Sequence, residues 1–262
     1  MKLSKKVLTA LVVLVSGFTL IGCAPSTFDG KIDWAGDKVS SYMDFSDAQD
    51  AKLEPIANTV KKGYPQFKDY RDSLKTLLKS ELQSEQFDAT KVNSELKTVK
   101  NTVLDLSAEL VTEFAELHAT FSQEQKDKVL DFRKDMSESR SHGHRWHRKN
   151  RSERSHHFKD FDLTVEQVDA LKVLVAGIAT DSVDIMVGNH QLRKIMMEEF
   201  AAETFNAEKV RTQFNSNIQL LFDSMESRLP DFVKLHGLMN EQQKNALVEV
   251  VDQWGSKWEE QD

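Results

Sequence analysis

The chain of 262 residues carries 42 acidic against 35 basic side chains, a formal charge of −7, with 29% of its residues charged. No nucleic-acid partner is expected of that acidic balance. Only ten glycines and four prolines, with no strand-like alternation, exclude a β-rich fold and point to an all-α chain with wet faces.

The chain opens with Lys2, Lys5 and Lys6 ahead of an apolar run from Val7 to Ile21, the layout of an export signal over residues 1–22 rather than of a spanning helix. The run ends Leu20-Ile21-Gly22-Cys23, and Cys23 is the single cysteine. This resembles a bacterial lipoprotein signal, which makes Cys23 the lipid attachment point. Ala24 behind it favours the outer membrane by resemblance to known sorting rules, with the body facing the periplasm. With that thiol lipidated, none is left for a disulfide, a metal or nucleophilic catalysis. Residues 23–44 hold Pro25, Gly30 and Gly36 among polar residues and are expected to form a tether, with Trp34 and Tyr42 as side chains that can dock on the body.

From residue 45 a pattern recurs four times: an apolar residue, then Ser, Thr or Asn, then Gln three places on. It appears as Phe45-Ser46 with Gln49, Phe121-Ser122 with Gln125, Leu163-Thr164 with Gln167 and Met239-Asn240 with Gln243. This is the spacing of a helix capping box, in which a short polar side chain and a Gln satisfy each other's orphan N–H groups. Gln49 to Gln167 and Gln125 to Gln243 are both 118 residues apart, and the same offset lays 45–136 on 163–254 without a gap. Phe87, Asp105, Phe114, Leu117 and His118 then fall on Phe205, Asp223, Phe232, Leu235 and His236. The expectation is a tandem duplication, with repeats at 45–136 and 163–258 joined by a linker at 137–162.

Each repeat is expected to hold four helices. The first runs over 46–62 and stops at Gly63-Tyr64-Pro65, with its twin over 164–180; the second covers 66–84 and 183–202. Asp88 and Asn206 are natural N-caps for a third and longest helix, where Val92, Leu96, Val99, Val103 and Leu106 recur at steps of three and four. About thirty residues make a rod of roughly 45 Å, and Pro230 should bend the second one. A short fourth helix closes each repeat, with Val129, Leu130 and Phe132 in one and Leu247, Val250, Val251, Trp254 and Trp258 in the other.

The linker carries His142, His144, His147, His156 and His157, five of the eight histidines. Over residues 137–160, seven basic residues against Glu138, Glu153 and Asp160 give it a net charge of +4. It reads as a hydrated strap, as a site for zinc, nickel or copper through neutral imidazoles, or as a basic segment drawn to anionic lipid with Trp146 at the interface. His118 and His236 read as helix-end residues beside a capping box. A ligand role for them needs acids nearby, such as Glu113 and Glu116 in one repeat and Asp231 in the other.

Paired Leu-Thr-x-x-Gln-like motifs about 76 residues apart, with a Phe-Asp or Phe-Asn helix start between them, resemble the Spy/CpxP family of periplasmic proteins. Only Leu163 to Gln167 keeps the full motif; Phe45, Phe121, Met239 and Asn240 depart from it. The resemblance implies cradle-shaped pairs of all-helical chains, here a monomeric pseudo-dimer built from the two repeats. It also implies no enzyme activity and an ATP-independent chaperone for unfolded envelope proteins under stress. The alternative it offers is a zinc-, nickel- or copper-responsive module, or one that restrains a sensor kinase. No catalytic signature stands above the helix-surface background.

Overall fold

The computed structural model describes residues 27–131 and 162–252, and among them every regular element is a helix. We number these α1 (Phe28–Met43), α2 (Asp47–Gln83), α3 (Ala89–His118), α4 (123–131), α5 (Val165–Ala201), α6 (Ala207–Leu238) and α7 (Glu241–Asp252). The N-terminal half thus contains α1 to α4 and the C-terminal half α5 to α7.

Two expectations need correction. The first two helices expected in each repeat are one unbroken helix of 37 residues, α2 in one half and α5 in the other, and these rather than α3 and α6 are the longest. Each expected repeat therefore has three described helices, not four. Gly63 misled because it looks like a helix stop. Its real role is close approach: a Cβ there would lie 2.6 Å from both methyl carbons of Leu106 on α3. Pro55 and Pro65 sit inside α2, and each removes one N–H from the ladder without ending the helix. In α5 no comparable interruption exists near residues 181–182, which stay helical.

The second correction concerns residues 23–44. Most of that expected tether is α1, capped by Thr27, whose Oγ1 accepts from the N–H of Gly30 at 3.2 Å. Ile32, Ala35, Val39 and Met43 bury one face of it; Leu53 and Ile56 of α2 share a core cluster with the last three, and Trp34 and Tyr42 pack at its edge. Phe28 stacks on Tyr64 with centroids 3.6 Å apart, and Lys61 pairs with Asp33 at 2.5 Å. Asp44 turns the chain out of α1 in a left-handed conformation, φ 51°, a region that Asp and Asn tolerate better than other side chains. Phe132, Trp254 and Trp258, expected on the closing helices, lie outside the described residues.

The long helices lie side by side in the order α2, α3, α6, α5. Neighbours run antiparallel: Thr59 bonds Glu113 and Lys52 pairs with Glu116 between α2 and α3, Asn93 bonds Glu226 and Arg211 bonds Thr112 between α3 and α6, and Asp181 pairs with Arg228 between α6 and α5. α6 runs through Pro230 to Leu238. At roughly 1.5 Å per residue, α2 and α5 are about 55 Å long. Such a layer cannot bury both faces of its edge helices. α1 covers part of the outer face of α2, and the end of α2 is closed by α7 through Leu82, Val248 and Val251.

Candidate functional site

The four capping boxes meet in two pairs. In the N-terminal half the N–H of Ser46 donates to Gln49 Oε1 at 3.0 Å and that of Ser122 to Gln125 Oε1 at 2.9 Å. The two glutamine amides then bond each other in both directions, at 2.9 and 3.1 Å. Gln167 and Gln243 repeat this at 2.8 and 3.2 Å, capped by Thr164 and Asn240. Each pair is buried, and spare amide hydrogens go to main-chain carbonyls: Gln49 to Thr120, Gln167 to Leu238, Gln125 to Met43. The motif residues thus splice two helix starts together, and Phe45 and Phe121 stack over the first pair at 5.5 Å. This is architecture, not a reaction centre.

A second set of paired contacts joins the two halves. His118 Nε2 lies 2.9 Å from the carbonyl oxygen of Phe200, and His236 Nε2 lies 3.0 Å from that of Leu82. Lys126 Nζ donates to the carbonyl of Ala202 at 2.6 Å, and Lys244 Nζ to that of Ser84 at 2.8 Å. Phe114 meets Phe205 edge-on at 5.2 Å, and Phe232 meets Phe87 at 5.0 Å. Every one of these contacts maps onto its partner by the offset of 118. Both histidines are 1% exposed, and burial pushes both imidazoles below their usual range. Nearby, Glu81 accepts from the N–H of Asp88 at 2.8 Å and from Lys91, and Glu199 takes Lys209 at 2.7 Å and the N–H of Asn206. These bonds hold both carboxyls below the ordinary glutamate range.

The halves differ most between α5 and α6. Where Gly63 receives Leu106 in the N-terminal half, the matching positions are Asp181 and Ser224, and Leu110 is matched by Arg228. Arg228 forks onto Asp181 at 2.8 and 3.0 Å, Ser224 adds a bond at 2.9 Å, and Gly177 leaves room for the guanidinium. Farther along, Asn217 bonds Asn189 at 3.3 Å and takes a bond from Gln213 at 2.9 Å, over Gly188. The middle of this helix pair is polar within. Its apolar residues point out: Val173, Val175, Ile178, Val183, Met186 and Val187 on α5 are 47–67% exposed. The same register of α2 reads Pro55, Ala57, Val60, Pro65, Lys68 and Asp69.

On the outer side of α5, this stripe runs from Lys172 to His190 with exposed Thr180, Ser182 and Asp184 among its apolar residues, while Asp181 turns inward to Arg228. Fifteen residues from Val173 to Val187 span about 22 Å. The ion pairs Asp169–Lys172 and Lys194–Glu198 flank this stretch. In the sequence, Val168, Leu171, Leu174, Val175 and Ile178 fall on one face at helical spacing, and that spacing alone does not tell that Val175 and Ile178 are exposed. The signal was there: apolar residues recur on more than one side of α5, while its neighbour α6 offers it Arg228, Ser224 and Asn217.

No group of three or more His, Cys, Asp or Glu side chains able to hold a metal occurs among the described residues, and none of their helices is long and apolar enough to cross a membrane. Cys23 and His142, His144, His147, His156 and His157 lie outside those residues. No family model, no curated protein and no solved structure matches the chain.

Proposed function

We propose that this chain is a lipid-anchored envelope protein of the Spy/CpxP type that binds partly unfolded polypeptides without ATP, and that the outer stripe of α5 is where they dock. The observation that carries this reading is the inverted helix pair. Six apolar side chains stand exposed on a helix whose inward face is occupied by a bidentate ion pair and an amide chain. A soluble surface seldom exposes a contiguous apolar patch above a few hundred Å2 without a partner. The stripe is one helix wide, so it falls short of the roughly 1,200–2,000 Å2 total that a stable protein–protein interface buries. Val, Ile and Met side chains on such a face accept many sequences weakly, which suits transient capture of unfolded chain better than a fixed partner.

The paired contacts across the seam support a companion reading: the two halves are copies that pair within one chain as other members of this family pair between chains. Sedimentation then gives a monomer. For the stripe, the test is aggregation suppression of a chemically denatured client by the protein and by a Val175→Ser/Ile178→Ser/Met186→Ser variant. The reading predicts loss of suppression with unfolding midpoint unchanged, and full activity in the variant overturns it.

A further inference from the structure

The seam between the halves has a chemistry that docking on the stripe does not use. A carbonyl oxygen only accepts, so the contacts of His118 and His236 fix the proton of each neutral ring on Nε2 and leave Nδ1 bare. His118 Nδ1 is fully buried and meets no partner. Four phenylalanine rings, Phe114, Phe121, Phe200 and Phe205, stand with centroids 5.3–6.5 Å from that of His118. Phe87 lies 5.6 Å from His236. A second proton on His118 must therefore sit on a buried atom with no acceptor among its neighbours, and His236 repeats the Nε2 contact at the same 1% exposure.

The charged groups around each ring do not offer an easy remedy. Lys126 of α4 and Glu199 of α5 face His118, with Lys209 bound to that glutamate; Lys244 of α7 and Glu81 of α2 face His236, with Lys91 on the glutamate. Both glutamates are already committed, each to a backbone N–H and a lysine. Lysine repels the imidazolium at both ends.

We infer that His118 and His236 form a paired acid-sensitive latch, neutral when the halves are docked, whose protonation parts the α3 and α6 ends from the opposite half and uncovers the phenylalanine clusters beneath. An imidazole freed into water takes up its proton near 6.5. Acid therefore favours the open form, whose rings are solvated, and neutral pH favours the closed one. Opening adds aromatic surface to the molecule on acidification, independently of whether the α5 stripe binds clients.

The test measures distance across the seam, not client binding. Nitroxide labels at Glu124→Cys on α4 and Thr204→Cys beside α5, in the full chain carrying Cys23→Ser, report whether α4 stays on the 202–206 loop. The distance should lengthen as pH falls from 7.5 to 5. In His118→Gln/His236→Gln, whose amide nitrogen can keep the bond to each carbonyl but takes no proton, the short distance should persist to pH 5. A parallel titration of the imidazole C–H signals in the unsubstituted chain keeps the idea testable should that variant not fold: proton uptake at both rings must coincide with the lengthening. The latch is overturned if the distance stays short to pH 5, if the glutamine variant opens at the same pH, or if either ring titrates while the halves remain docked.

Discussion

Replacing Gln167 by Ala tests the splice between helix starts most sharply. The side chain is 3% exposed and does three things at once: its Oε1 accepts from the N–H of Thr164 at 2.9 Å, and its Nε2 donates to the carbonyl of Leu238 at 2.7 Å and to Gln243 Oε1 at 2.8 Å. Loss of the return half of a capping box costs about 0.5–2 kcal/mol. The Leu238 carbonyl loses its donor, and a buried unsatisfied group costs about 1–3 kcal/mol. Because a neighbouring water can enter once the side chain is gone, the sum is best taken as ~2–4 kcal/mol. Urea unfolding followed by far-ultraviolet circular dichroism and a second probe measures it, the coincidence of the two curves deciding whether one free energy describes the transition. The Gln167→Ala/Gln243→Ala double variant should cost less than the sum of the singles by ~1 kcal/mol or more, whereas Gln167→Ala with Gln49→Ala should add. A cost below ~0.5 kcal/mol, or strict additivity within the pair, refutes the splice.

The remaining predictions concern packing, acid and anchoring. Gly63→Ala forces Leu106 off its site and should destabilise by ~1–3 kcal/mol, while Gly237→Ala, whose Cβ meets nothing within 4 Å, should be neutral or stabilising by up to ~1 kcal/mol in thermal unfolding. Glu81 is held low chiefly by the Asp88 N–H and Glu199 chiefly by Lys209. Both therefore contribute stability that is present above the unfolded value near 4.5 and lost as pH falls through the lower folded one. Glu81→Gln and Glu199→Gln should flatten the fall of the urea midpoint below about pH 4.5 without touching the histidine window above pH 5. Cys23→Ser should move the protein from the membrane pellet to soluble or unprocessed fractions; unchanged fractionation counts against a lipid anchor.

What the sequence disclosed was whatever repeated locally. Gln49, Gln125, Gln167 and Gln243 stood out because a capping box needs its two partners three residues apart, and their separation of 76 within each pair was visible even though the amide-to-amide bond was not. Asp88 and Asn206 were legible for the same reason, each accepting N–H bonds from the turn it opens. Gly63 was misread because a glycine that ends a helix and one that admits a neighbouring leucine look alike until Leu106 is placed beside it. α1 was missed because Gly30 and Gly36 suggested a tether, although Ile32, Val39 and Met43 already had helical spacing; Gly36 lies against Leu53, where a Cβ would sit in ordinary contact at 3.7 Å. The seam was beyond local reading. His118 reaches Phe200 and His236 reaches Leu82, contacts spanning 82 and 154 residues. A hint existed in the identity of His118 with His236, Lys126 with Lys244 and Glu81 with Glu199 at one offset, since polar residues kept at matched places in a duplicated pattern often share a buried partner.

The outward stripe of α5 is the centre of the functional account, and site-specific photo-crosslinking reads it directly. A photoreactive residue at Val175, Ile178 or Met186 on α5, and at the matching Ala57, Val60 or Lys68 on α2, is exposed to a denatured client during refolding. The account predicts client adducts from the three α5 positions and few from the α2 positions, where α1 and charged residues occupy the surface. Equal adducts from both helices, or adducts confined to α2, would contradict it.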